Sequence, residues 1–149
     1  MRGFEKFISL KTLWLNGNKL QSITGLDENV QLNNLHLHCN RIKRLGKNAL
    51  AQFKLLSRLT LNDNLLDDFD GTLLELKCMR NLLSLDLHNN PIAEEDNYRL
   101  RVLAVIPSLR IFDLHRYRRM FRVADLTNSL RIKRLVLHFC YGSEAAFTL

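Results

Sequence analysis

An eleven-residue phrase recurs along this chain, and a recurrence of that kind dictates a stacked architecture before any other feature is weighed. Leu10, Leu13, Leu15, Asn18 and Leu20 spell L-x-x-L-x-L-x-x-N-x-L. The phrase returns as Leu32, Leu35, Leu37, Asn40 and Ile42, then as Leu56, Leu59, Leu61, Asn64 and Leu66, then as Leu82, Leu85, Leu87, Asn90 and Ile92. A fifth copy, Leu109, Phe112 and Leu114, lacks the asparagine. Successive starting leucines lie 22, 24, 26 and 27 residues apart. Leucine is common, so one match would carry little weight. Four complete copies in register carry the fold.

The centre of the phrase alternates with period 2, which predicts a short strand with leucines on one side and variable residues on the other. Strands of this kind, stacked at ~4.8 Å, form a parallel sheet on the inner wall of a curve. Asn18, Asn40, Asn64 and Asn90 are expected to turn inward as a ladder and to satisfy backbone groups that burial would otherwise leave unpaired, at ~1–3 kcal/mol each. Between phrases, Ile23, Leu26, Leu45, Leu50, Phe53, Phe69, Leu73, Leu76 and Met79 are assigned to the outer wall, with a helical turn or more over Leu73–Arg80. Pro91 and Pro107 punctuate the chain where a helix must start or stop.

At this point the chain resembles intracellular leucine-rich-repeat proteins of the short, 22-residue class. That class includes a regulatory subunit of protein phosphatase, a spliceosomal particle subunit, an axonemal dynein light chain and several ciliary proteins. The resemblance covers roughly residues 3–115. Its most specific part is Asn90-Pro91-Ile92, Tyr98-Arg99, Ile106-Pro107-Ser108-Leu109 and Phe112-Asp113, which looks like the C-terminal cap of such repeats. Leu13-Trp14-Leu15 and the Asn-Pro cap look most like the ciliary members. The expected fold is therefore an α/β solenoid. A curved parallel sheet of about five short strands forms the concave face, the outer wall is irregular to helical, and a helical cap closes the C-terminal end. The expected divisions are a partial, uncapped repeat at 1–9, four repeats at 10–92, a cap with the degenerate fifth copy at 93–122, and a basic extension at 123–149. Gly3–Ser9 reads as the outer half of a repeat whose own strand is missing, and an uncapped edge of that kind invites a partner.

Composition agrees with a globular domain. Of 149 residues, 46% are hydrophobic and 25% charged, so the chain can bury one continuous core and is not disordered. The longest stretch without an acid, lysine or arginine is residues 29–40, far short of a membrane span. The start builds no signal-peptide core, no Asn-x-Ser/Thr acceptor occurs, and the three cysteines are odd in number and widely spaced. A reduced, cytoplasmic setting is the expectation, with no membrane and no secretion. The net charge of +7 is uneven: residues 1–115 hold 15 Lys and Arg against 13 Asp and Glu, and residues 116–149 hold 7 against 2. The chain is a near-neutral body with a basic end.

Function in such a module lies on the concave face, where the variable strand positions project. The middle positions form a row, Trp14, His36, Thr60, Asp86 and Asp113. The positions two before are Thr12, Asn34, Arg58, Ser84 and Ile111, and those two after are Asn16, His38, Asn62, His88 and His115. Trp14, the only tryptophan, is expected to be exposed, either as an anchor for a partner or as cover for the N-terminal edge. The histidines admit three readings. His88 and His115 beside Asp86 and Asp113 form a conceivable N/O metal set, with His36, His38 and Cys39 a poorer one. An Asp/His pair can do acid–base chemistry, although an open wall neither excludes water nor shifts a pKa far. The reading adopted is a hydrogen-bonding surface for a protein partner, with no catalytic residues, metal or cofactor. Asp86 and Asp113 as neighbouring like charges point to something basic docking there.

Other motifs are absent. Gly46-Lys47-Asn48 lacks the upstream glycine and the Ser/Thr of a phosphate loop, and neither Gly-x-Ser-x-Gly nor His-Glu-x-x-His occurs. The basic run Arg116, Arg118, Arg119 and Arg122 either solvates a cap helix or contacts an acidic surface such as tubulin, RNA or anionic lipid. The resemblance implies a non-enzymatic scaffold in a ciliary or axonemal assembly, part of a larger complex. The alternatives are a subunit of an RNA particle that uses the basic end, and a phosphatase regulatory subunit, which rests on fold analogy alone.

Overall fold

The computed structural model describes residues 3–116. Each phrase forms one three-residue strand: β1 at Thr12–Trp14, β2 at Asn34–His36, β3 at Arg58–Thr60 and β4 at Ser84–Asp86. The fifth copy forms the two-residue β5 at Ile111–Phe112, and β6 at His115–Arg116 follows it. Strand order in the sheet is the order in the sequence. The register is that of the phrase: Leu13 pairs Leu35, Leu35 pairs Leu59, Leu59 pairs Leu85 and Leu85 pairs Phe112, all in parallel. These central residues, with the sixth-position Leu37, Leu61 and Leu87, are buried. A one-residue slip would carry them all to solvent, so burial itself locks the register.

The asparagine ladder forms as the spacing requires. Asn64 donates through Nδ2 to the carbonyls of Leu37 and Leu61, both at 3.0 Å, and accepts the Ile42 N–H at 3.0 Å. Asn40 and Asn90 do the same for Leu20 and Leu66. Asn18 is exposed and, among the described residues, bonds only the Leu15 and Asn16 carbonyls of its own turn. The residue before each asparagine takes a left-handed conformation to swing the chain around: Gly17, Cys39, Asp63 and Asn89 at φ 68°, 56°, 55° and 54°. Glycine and asparagine suit that conformation, and cysteine does not. Cys39→Asn is therefore expected to raise stability by about 0.5–1 kcal/mol, read as a higher urea midpoint. An unchanged midpoint would mean that the strain at Cys39 is negligible.

The outer wall is built of turns closed by bonds three residues apart. Leu26, Asn29 and Leu32 are linked this way, and so are Leu50, Phe53 and Leu56, and Leu76, Met79 and Leu82. Asn29 thus occupies the place that Phe53 and Met79 fill in later repeats. It is wholly buried and donates to the Phe4 and Phe7 carbonyls, at 3.0 and 2.9 Å, tying the N-terminal segment to the first full repeat. Buried Glu75 plays the matching role two repeats on, where it accepts the Asn48 N–H at 2.9 Å.

Helix α1, Phe69–Leu76, begins at Asp68, whose carboxylate accepts the Gly71 N–H at 2.9 Å. A Cβ on Gly71 would sit 2.4 Å from the Asp68 Oδ2, so a side chain there would make the capping carboxylate shift. Pro91 opens a 3₁₀ turn over Pro91–Glu94, and helix α2 spans Tyr98–Val105. Helix α2 packs against α1 through Arg101, which pairs with Asp70 and lies 4.3 Å from the centre of the Phe69 ring. No helix among the described residues is long and apolar enough to cross a membrane.

The fifth copy departs from the expected regular strand. Asp113 and Leu114 both have positive φ, at 45° and 66°, and reverse the chain so that β6 pairs antiparallel with β5. Without an asparagine at its ninth position the copy has no inward turn to make, and the sheet closes in a hairpin. Arg116 accordingly lies in a strand and not in the helix considered for Arg116–Arg122. Arg118, Arg119, Arg122 and the extension at 123–149 fall outside the described residues.

Candidate protein-binding face

The variable positions of β1–β4 do project together on the concave side. Trp14 is 64% exposed, and its ring stacks on His36 at 3.8 Å between centroids and 13° between planes. Neighbouring parallel strands in register make this stack possible, since Trp14 pairs with His36. His36 itself is only 6% exposed, which corrects its expected place as a surface contact. The tryptophan of the adjacent strand roofs it over. Burial first, then Arg58 and His38, hold the His36 pKa below the ordinary imidazole value. The Thr60 hydroxyl sits between the two rings, 3.1 Å from His38 Nδ1 and 3.4 Å from His36 Nδ1. Asn34 donates to the Thr12 hydroxyl at 3.0 Å.

This stack has a consequence for pH. The unfolded chain binds a proton at its histidines near pH ~6.5, and folded His36 resists it. The stability contributed by neutral His36 is full above that value and falls as pH drops through it towards the folded pKa. Urea titrations between pH ~7 and ~5 should show His36→Phe with a flatter loss of stability than the wild-type chain. Parallel curves would mean that the buried ring does not titrate as described.

At the other end of the face, Asp86 is hydrogen-bonded to His88 Nδ1. Burial, reinforced by Asp113, raises the Asp86 pKa against the opposing effect of His88. Asp63 accepts from Asn89 at 2.9 Å and from Asn62 at 2.6 Å; the Asn89 bond contributes most to holding its pKa down. Ligand-type atoms of Asp86, His88 and Asp113 lie within 4.8 Å of one another, so part of the conceivable metal set is assembled. His115 is left out because the hairpin carries it onto β6, where its Nδ1 meets the Asp113 carbonyl oxygen.

Asp113 is also displaced from its expected role. It is 4% exposed, and its Oδ1 accepts the Leu87 N–H at 2.8 Å. Its Oδ2 lies 3.8 Å from Arg99 Nη2. Burial, and then the charge of Asp113, push the Tyr98 hydroxyl well above the ordinary phenol range, so it stays protonated beside the carboxylate. The Asp86/His88/Asp113 group is thus already paired within the fold, and Asp113 is a structural residue of the cap. Of the residues expected to bind a partner, Trp14, Asn34, His38, Arg58, Thr60, Asn62, Asp86 and His88 are exposed or half-exposed on this face. Sequence reasoning passed over Asn29 and Glu75, which hold the wall behind this face. Their only signal was a polar residue in an apolar place of the outer-wall pattern.

A family profile described as leucine-rich repeat matches residues 10–135. The chain belongs to the leucine-rich-repeat family. It is 34% identical over 109 residues to the acidic leucine-rich nuclear phosphoprotein 32 family member A of Drosophila melanogaster, a match covering 73% of this chain and 41% of that protein. It is 28% identical over 99 residues to the human U2 small nuclear ribonucleoprotein A′, covering 66% of this chain and 38% of that one. The chain thus spans less than half the length of these relatives. The crystal structure of the Drosophila melanogaster SNF/U2A′ complex superposes with a TM-score of 0.76 at 23% identity, covering 88% of this chain and 76% of that one, a likeness of fold.

Proposed function

We propose that this leucine-rich-repeat chain is a non-enzymatic scaffold that binds a protein partner on its concave face, in a larger cytoplasmic assembly of the cilium or axoneme. The observation that carries the reading is Trp14, a large ring 64% exposed yet held in one orientation by the His36 stack. An immobilised aromatic surrounded by polar side chains has the make-up of a binding hot spot, because little side-chain entropy remains to be lost on contact. The ciliary setting rests on the likeness of Leu13-Trp14-Leu15 and the Asn90-Pro91 cap to ciliary members.

Affinity capture from ciliated-cell extract tests both parts, with the 149-residue chain as bait, nuclease treatment and a salt series. Axonemal proteins should be retained after nuclease, and should be lost from a Trp14→Ala, Arg58→Ala, Asp86→Ala bait whose circular dichroism is unchanged. Retention by the triple variant would place the partner elsewhere. A second reading, membership of an RNA particle through the basic end, is favoured by the ribonucleoprotein relative. Captured particle proteins that vanish with nuclease, or with moderate salt as counterions reclaim the phosphates, would select it.

A further inference from the structure

The C-terminal end of the concave face brings two carboxylates and an imidazole together. Asp86 and His88 stand two apart, so they share one side of the chain as it leaves β4. Asp113 follows the Leu85–Phe112 pair by one residue, as Asp86 does on its own strand, and is therefore its neighbour across the sheet. One oxygen of each carboxylate and one ring nitrogen of His88 lie within 4.8 Å of one another. No other trio of His, Cys, Asp or Glu side chains among the described residues comes so close.

The internal bonds of this group leave one acceptor over. The Asp113 side chain is 2% exposed, and its Oδ1 is fixed by the Leu87 N–H at 2.8 Å. Its Oδ2 is buried and accepts no hydrogen bond among the described residues. The Arg99 Nη2 stands 3.8 Å from that oxygen, beyond hydrogen-bond length. A buried carboxylate oxygen without a donor bears a desolvation cost that a cation in contact with it offsets. Asp86 and His88 are half-buried, so a small ion reaches the group from the concave side.

We infer that Asp86, His88 and Asp113 hold a divalent transition-metal ion of the zinc type. Zinc takes carboxylate oxygen and imidazole nitrogen at ~2.0–2.2 Å, which places tetrahedral ligands ~3.3–3.5 Å apart. The three atoms reach that spacing by side-chain movements of about 1 Å. The Asp86–His88 hydrogen bond opens, while Asp113 keeps its Oδ1 on Leu87 and turns only Oδ2 to the ion. The imidazole favours zinc over magnesium or calcium, which prefer oxygen alone. Three protein ligands leave the fourth position to water on the open side. A bound ion cancels the two carboxylate charges, so this end of the face passes from acidic to near neutral on loading. The site needs no protein partner and stands apart from the concave-face reading.

The test titrates zinc chloride into the full, metal-stripped chain by calorimetry, with magnesium chloride alongside. One zinc ion per chain should bind, with roughly micromolar affinity, and magnesium should give no saturable heat at the same concentrations. Asp86→Asn and His88→Ala, each with unchanged circular dichroism, should weaken zinc at least about tenfold. Arg99→Gln should tighten it about fivefold or more, because a positive charge that competes for Asp113 is gone. Asp113 is left intact, since its variants lose the Leu87 bond and would mix binding with folding. Zinc binding undisturbed by both Asp86→Asn and His88→Ala would put the ion on other side chains and overturn the site. Absence of saturable zinc binding, or equal binding of magnesium, would overturn it too. An Arg99→Gln chain that binds no more tightly than wild type removes Asp113 from the set, leaves only a surface Asp–His pair, and defeats the three-ligand assignment.

Discussion

Asn64→Ala is expected to destabilise this protein by about 3–5 kcal/mol, whereas Asn18→Ala, at the same position of the first phrase, should cost under about 1 kcal/mol. The residue type, the phrase and the local turn are the same, so the difference isolates burial. Asn64 is 4% exposed and sits between two repeats. Truncation orphans the Ile42 N–H and takes a donor from the carbonyls of Leu37 and Leu61, all in a region closed to water. A buried group left unpaired bears its full desolvation cost, whereas water can replace the amide at exposed Asn18. Asn64→Asp keeps an acceptor for Ile42 but turns a carboxylate oxygen on two carbonyls, and should be no better than alanine. Urea unfolding of the three variants measures the series. A loss at Asn64 no larger than at Asn18 would show that the ladder is not what joins the repeats.

The parts of the fold legible in the sequence are those set by period. The L-x-x-L-x-L spacing located β1–β4 and their register, and the ninth-position asparagines announced the ladder, because both repeat and each repetition checks the last. The parts that escaped are those where one residue answers a single neighbour. Asn29 was passed over because its partners are the Phe4 and Phe7 carbonyls, and no side-chain pattern displays a carbonyl. His36 was placed on the surface because alternation assigns a side to each strand position but does not say that the neighbouring strand's tryptophan will lie flat over it. The site was legible to the same extent. Trp14, Arg58 and Asp86 stand on the face where period 2 put them, whereas His115 depended on a fifth regular strand that the chain does not make. The missing asparagine after Leu114 was visible, but nothing periodic encodes the two positive φ angles that replace it.

Those two angles make Asp113 the residue on which the C-terminal cap depends. In the first three strands a backbone carbonyl of the next strand receives the sixth-position N–H: His36 receives Leu15, Thr60 receives Leu37 and Asp86 receives Leu61, each at 2.8 Å. Leu87 continues the series, but the chain turns away at Asp113, and the Asp113 carboxylate oxygen receives the bond at 2.8 Å instead. A side chain thus stands in for the carbonyl that the hairpin withdraws. Asp113→Ala should remove that acceptor, leave the Leu87 N–H buried and unpaired, take the carboxylate from Tyr98 and Arg99, and keep a left-handed φ that alanine adopts poorly. Together these should cost about 3–5 kcal/mol. Asp113→Asn retains an oxygen for Leu87 and tolerates the backbone, so it should lose only about 1–2 kcal/mol, the share owed to the charge. Chemical denaturation of the pair separates the contributions. Equal losses would assign the cap's stability to the Arg99 and Tyr98 contacts, while a small loss for both would mean that the packing of Phe112 and Tyr98 closes the solenoid without help from the carboxylate.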